Sequence, residues 1–310
     1  MSRADPNDQR RFRPPSSAAV AIAVLCSVSP WLSACAVRGA QRDHLAPGSP
    51  EASVGKARAP SSGAKPTSSG AFARTLESAD GRLATALAAL AALPTAESHR
   101  HVAAEYRRLG VLDLAHAHFT AAVREDPTDA ASFDALARIW RDWGFAHLGL
   151  GDAYRAVHFA PSSPAAANTL GTLFDALGHP GAARAWYGRA LALDPDASYA
   201  LNNLCYAAIM IGDADAVTAC RLSVAASPGS RVAGNNLGLA HAANGHFEKA
   251  HDQFQAVGGP AAADYNLGMV YMGTRQFKLV AESFGAALSA RPAFALAAYR
   301  TRQAAAADRP

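Results

Sequence analysis

Residues 170–195 read LGTLFDALGHPGAARAWYGRALALDP, and this stretch decides the fold. Leu170 and Phe174 stand four apart, and Ala183, Tyr187 and Ala190 follow at steps of four and three, the spacing of one apolar stripe on each of two helices. Gly178 falls where the first helix must turn in a left-handed cap, and Pro195 where the second must stop. Working outward, the arrangement returns. An apolar residue followed by a small one recurs as Val102-Ala103, Leu136-Ala137, Leu170-Gly171, Leu204-Cys205, Leu237-Gly238 and Leu267-Gly268, at steps of 34, 34, 34, 33 and 30. A near-constant period of this length marks stacked helical hairpins, since one hairpin cannot bury its apolar face alone.

Each position has a physical task. Two antiparallel helices approach closely only where small residues sit at the crossing, so Ala103, Ala137, Gly171, Gly238 and Gly268 are expected to face Ala115, Ala183 and Ala250, with larger residues in the grooves. Gly110, Gly144, Gly178, Gly212 and Gly245 end the first helices. Two units depart: the fourth loses one residue in its turn, between Gly212 and Ala216, and the fifth ends early at Gly258-Gly259-Pro260. That early end is expected to remove about one helical turn and to change the local twist. The expected architecture is an all-α superhelical solenoid of six hairpins over 96–294, with an extra helix in front (73–94) and another behind (295–310).

Around the anchors the fuller pattern is Phe133-x2-Leu136-Ala137-x2-Trp140, Gly144, Ala156, Pro161, and in the first unit Tyr106, Gly110, Ala115-x3-Phe119, Asp126-Pro127. The last unit supplies Tyr271, Phe284, Ala287 and Pro292. These residues resemble the tetratricopeptide repeat. The resemblance implies a concave face lined by the first helix of each unit, to which a protein or peptide partner binds. Superposing the units places Asn168, Asn202, Asn203, Asn235, Asn236 and Asn266 on that face. An amide both donates and accepts, so a column of them suits the backbone of an extended peptide. Between them lie Tyr199, Tyr206, Ile209, Met210, Leu239, Tyr265, Met269 and Met272, adaptable apolar anchors. Alternatively, the Asn is a common repeat residue and the apolar groups merely pack. The first two units present Arg100, His101, Arg107, Arg108, Arg138 and Arg141 instead, making one end basic. The Lys/Asn/Arg clamp that chaperone adaptors of the family use for a terminal carboxylate is incomplete here.

Cys205 occupies a crossing position, and Cys220 stands where other units have Phe119, Tyr187, Phe254 or Phe284. They lie equally far from the turn near Gly212-Asp213, so they either form a disulfide or remain two buried thiols.

The N-terminal quarter reads differently. Arg10, Arg11 and Arg13 precede an apolar run from Ala18 to Leu32, which is too short and interrupted for a bilayer span but suits a secretory signal over 1–34. Leu32-Ser33-Ala34-Cys35 resembles a lipoprotein lipobox, which implies lipidation at Cys35. Ala36, rather than Asp, next to it implies the outer membrane. Residues 35–72, rich in Pro, Gly, Ser and Ala, read as a disordered tether with a root-mean-square reach of about 30–35 Å.

The chain of 310 residues is 50% hydrophobic and 17% charged, which argues for a sizeable buried core. From Arg74 onward 20 basic residues meet 21 acidic ones with no Lys/Arg run, which argues against nucleic acid as a partner. The 11 His residues show no metal-ligand spacing: His116 and His118 fall on different helix faces, and His246 and His251 are five apart. No HExxH, phosphate loop, paired-Cys zinc spacing or GxSxG elbow occurs. The expectation is a non-catalytic scaffold with no cofactor or metal. Within tetratricopeptide lipoproteins the tether, the repeat number and Ala263-Asp264-Tyr265-Asn266-Leu267-Gly268 most resemble the Tad/Flp pilus-assembly type, followed by pilotins. An adaptor docking peptidoglycan hydrolases and an enzyme with an unrecognised site are the alternatives. Oligomeric state is not readable from the sequence.

Overall fold

The computed structural model describes residues 80–307, which form fourteen α-helices. The signal segment, Cys35, the tether and the first part of the expected front helix lie outside the described residues. The helices form two compact units, residues 80–161 and residues 162–307, each taken by itself below.

The first unit contains α1 (Gly81–Ala92) and the hairpins α2 (Ala96–Arg108)/α3 (Leu112–Glu125) and α4 (Ala130–Asp142)/α5 (Ala146–Phe159). Asp80 caps α1 by accepting from the Arg82 and Leu83 amides. Thr95 and Ser98 form a reciprocal capping box on α2. Leu83 from α1 is buried with Val102, Ala103, Tyr106, Phe119 and Leu136, so the front helix closes the apolar end of the first hairpin. Arg100 reaches Asp129, the buried N-cap of α4, at 3.0 Å and ties the two hairpins together.

The second unit contains α6 (Pro164–Ala176)/α7 (Pro180–Leu193), α8 (Ser198–Met210)/α9 (Ala216–Ala226), α10 (Arg231–Ala243)/α11 (Phe247–Gly258), α12 (Pro260–Gly273)/α13 (Phe277–Ala290), and the closing helix α14 (Ala295–Ala307). The six hairpins and two flanking helices follow the sequence expectation. The five cap glycines all have positive φ, between 66° and 85°, and Arg275 takes the same conformation at 59° in the sixth hairpin. In the fourth unit α9 is only 11 residues long against 14 for α7, one residue fewer from the missing position and two more because it starts at Ala216, four residues after its cap glycine where α7 starts two after Gly178. In the fifth unit α11 keeps 12 residues, and much of the shortening falls on the linker instead. Gly259 alone, at φ 78°, joins α11 to α12.

The helix crossing differs from the expected meeting of small residues. The nearest atoms to Gly171, Gly238 and Gly268 are the rings of Tyr187, Phe254 and Phe284, sixteen residues further on, and a Cβ on any of the three glycines would fall closer than 3.0 Å to the ring. The glycines make room for an aromatic plate, which carries far more apolar area into the crossing than an Ala–Ala contact. In α8/α9 the same pair of positions is Cys205 and Cys220, which form a disulfide with the Cα atoms 4.6 Å apart. The shortened turn makes their separation 15 instead of sixteen. Both cysteines are fully buried.

Candidate partner-binding faces

The second unit places its first helices side by side, and the asparagines are what joins them. Asn203 Nδ2 donates to Asn168 Oδ1 at 3.0 Å, Asn236 Nδ2 to Asn202 Oδ1 at 3.0 Å, and Asn266 Nδ2 to Asn235 Oδ1 at 3.4 Å. The adjacent pairs divide the labour: Asn203 and Asn236 reach back one helix, while Asn202 and Asn235 accept from the next. Asn203 is 6% exposed and Asn236 fully buried. The sequence reading offered these amides to a peptide, and in the structure each of the six enters one of three Asn–Asn bonds, while Asn168, Asn202, Asn235 and Asn266 stay half-buried. The bonds form because an Asn on one helix finds the complementary atom one repeat away, although Asn236 Oδ1 is left buried without a hydrogen-bond partner.

Several apolar anchors also lie inside. Met269 is 2% exposed and packs with Tyr271, Val280 and Phe284; Ile209 and Leu239 are core residues too. Tyr265 is half-buried, with its ring 5.6 Å from Phe284 and 5.0 Å from Phe294, and its burial raises the phenol pKa. The reason is the closing helix, whose approach turns the last groove positions into core. Tyr206 packs against the core around the disulfide, and Met210 is half-buried. Tyr199, 42% exposed, is the residue of this set that stays open.

The basic positions of the first unit separate. Arg108 turns to α1 and α2, bonding Asp80 Oδ2 at 2.6 Å and Glu105, so it is a structural tie and not part of the binding face. Arg107, Arg138 and Arg141 come together with Asp134 and Asp142.

Two contacts carried no sequence signal. The Tyr187 hydroxyl donates to Asp175 Oδ2 at 2.5 Å, and burial raises the Asp175 pKa to about 7 although the tyrosine bond pulls it down. His99 and His118 face each other with Nδ1 atoms 3.1 Å apart. His116 packs instead against Trp140 and Trp143, with centroids at 5.1 and 5.2 Å, and its burial lowers its pKa. Among the described residues no group of three or more potential ligands gathers for a metal, and no helix is long and apolar enough to cross a membrane.

Hairpins of this period, with a capping glycine and an aromatic–small crossing, define the tetratricopeptide repeat class. The tetratricopeptide repeat family description matches residues 164–197, and the described body carries that fold. No curated protein matches the sequence. Among solved structures the chain is similar to the Cut9–Hcn1 hetero-tetramer of the APC/C (TM-score 0.56, 16% identity, 74% of this chain) and spans about half, 48%, of that matched chain. It is also similar to PilW, a type IV pilus biogenesis factor (TM-score 0.55, 20% identity, 64% of this chain and 94% of PilW). A third is PilF of Pseudomonas aeruginosa (TM-score 0.52, 16% identity, 67% and 96%). At these identities the likeness is one of fold, and that fold is consistent with a protein-binding scaffold.

Proposed function

We propose that the chain is a lipid-anchored, non-catalytic scaffold on the periplasmic side of the outer membrane that binds a protein partner during assembly of a pilus or secretion apparatus. The observation that carries this reading is Leu32-Ser33-Ala34-Cys35 at the end of an apolar segment, placed ahead of a body of tetratricopeptide hairpins. The fold shared with PilW and PilF supports the choice of machine. The first-helix faces are the surfaces offered to the partner, with Tyr199 in the second unit and Arg107 and Arg138 in the first.

The test is fractionation of cells expressing wild type and Cys35→Ser. Wild type is expected in the outer-membrane fraction with acyl chains detectable by mass spectrometry, and Cys35→Ser in the soluble periplasm. Wild type that is soluble and unacylated overturns the anchor. Crosslinking in intact cells then identifies the neighbour; a partner outside any pilus or secretion assembly overturns the choice of machine.

A further inference from the structure

We propose that the cavity at the Gly258-Gly259 linker, where the fifth hairpin meets the sixth, is a binding site for a phosphate group. The cavity measures about 380 Å³ and is walled by the linker residues 258–262, by Arg231 at the start of α10, and by Arg291 and Phe294 between α13 and α14. The early end of the fifth unit shapes it. A Cβ on Gly258 would fall 2.7 Å from the Ala262 Cβ and 3.9 Å from Arg231 Nη2, and Gly259 turns the chain at φ 78°. Glycine at 258 therefore lets α11 and α12 meet this closely, with the Arg231 guanidinium beside bare backbone.

The lining holds two guanidiniums and no carboxylate. Neither Arg231 nor Arg291 enters an ion pair among the described residues, whereas Arg184 of the same unit meets Asp213 at 2.7 Å. The Arg291 guanidinium lies over the Phe294 ring at 5.4 Å, a contact made through its face that leaves its N–H donors for an acceptor. Both arginines are exposed, so an anion reaches them from solution. The surroundings attract one as well, since residues 265–307 carry five Lys and Arg against a single Glu. One guanidinium already saturates both oxygens of a carboxylate in a forked pair, so two on one cavity call for an anion with more oxygens, which a phosphate supplies. A free phosphate and the headgroup of a phospholipid offer the same chemistry.

The experiment is isothermal titration calorimetry of the full chain at low salt with three probes: inorganic phosphate, the phosphodiester glycerophosphoglycerol as a headgroup freed of acyl chains, and acetate. At least one phosphate probe is expected to bind about ten-fold or more tightly than acetate. The double change Arg231→Gln with Arg291→Gln is expected to remove that preference, and Arg302→Gln, an exposed change on α14 outside the cavity, to leave it intact. Tighter binding of inorganic phosphate identifies a free phosphate as the source, and tighter binding of the diester a lipid headgroup; either supports the site. Equal binding of phosphate and acetate, no heat from either phosphate probe at millimolar concentration, or a preference that survives in the double variant of unchanged melting temperature overturns it.

Discussion

The first helices of the two units solve one problem with different chemistry. In residues 162–307 they are joined by amides, and in residues 80–161 by the ion pair of Arg100 with Asp129. Amides pair readily because each side chain brings a donor and an acceptor, and here three Asn–Asn pairs form one repeat apart. Charged groups close pair by pair, as Arg100 does with Asp129 and Arg138 with Asp134.

The harshest way to break this contrast is to charge the amide column. Asn236→Asp places an anion in a fully buried position and is expected to lose about 3–5 kcal/mol of stability, measured by urea unfolding. A loss below about 1 kcal/mol would mean that the column is more open than described. Asp175 asks the same question with a native acid. Its folded pKa of about 7 exceeds the ordinary 3.8, so the folded state keeps a proton that the unfolded chain releases between those values. Stability from this group is greatest at the acid end and falls as pH rises through 7. Melting curves should show wild type losing about 2–4 kcal/mol between pH 4.5 and 8 relative to Asp175→Asn; parallel pH profiles would contradict this. Removing the disulfide with the double change Cys205→Ser and Cys220→Ser should cost about 3 kcal/mol for a closed loop of 15 residues, read by chemical denaturation. The smallest effect is expected on the charged face, where Arg107→Gln should change stability by about 0.5 kcal/mol or less. A large loss there would show that Arg107 holds the fold together.

The architecture was legible because the repeat period, the capping glycines and the apolar–small pairs are all local signals, and each one needs the same hairpin. The binding face was legible only in position. Asn202 and Asn203 are neighbours in sequence, and helix geometry sends them to opposite partners, a division invisible without the adjacent helices. One clue was present: Asn168 to Asn203, Asn202 to Asn236 and Asn235 to Asn266 are each about one repeat apart, the separation at which stacked side chains touch. The burial of Met269 and the ring contacts of Tyr265 carry no signal in the sequence because the closing helix is too weakly patterned to reveal what it covers. Arg107 and Arg108, adjacent in the chain, could not be told apart until Asp80 was seen beside Arg108.

The crossing in α8/α9 carries its own consequence. Gly171 with Tyr187, Gly238 with Phe254 and Gly268 with Phe284 are secured by shape, which is complete as soon as the chain has folded. Cys205 and Cys220 are secured by a reaction, which needs an electron acceptor and is not complete until one has acted. In a reducing solution this hairpin holds two thiols with neither ring nor bond between its helices, and an oxidant supplies the lock. The second unit thus has three crossings whose firmness is written in the chain and a fourth whose firmness is set by the redox potential around it.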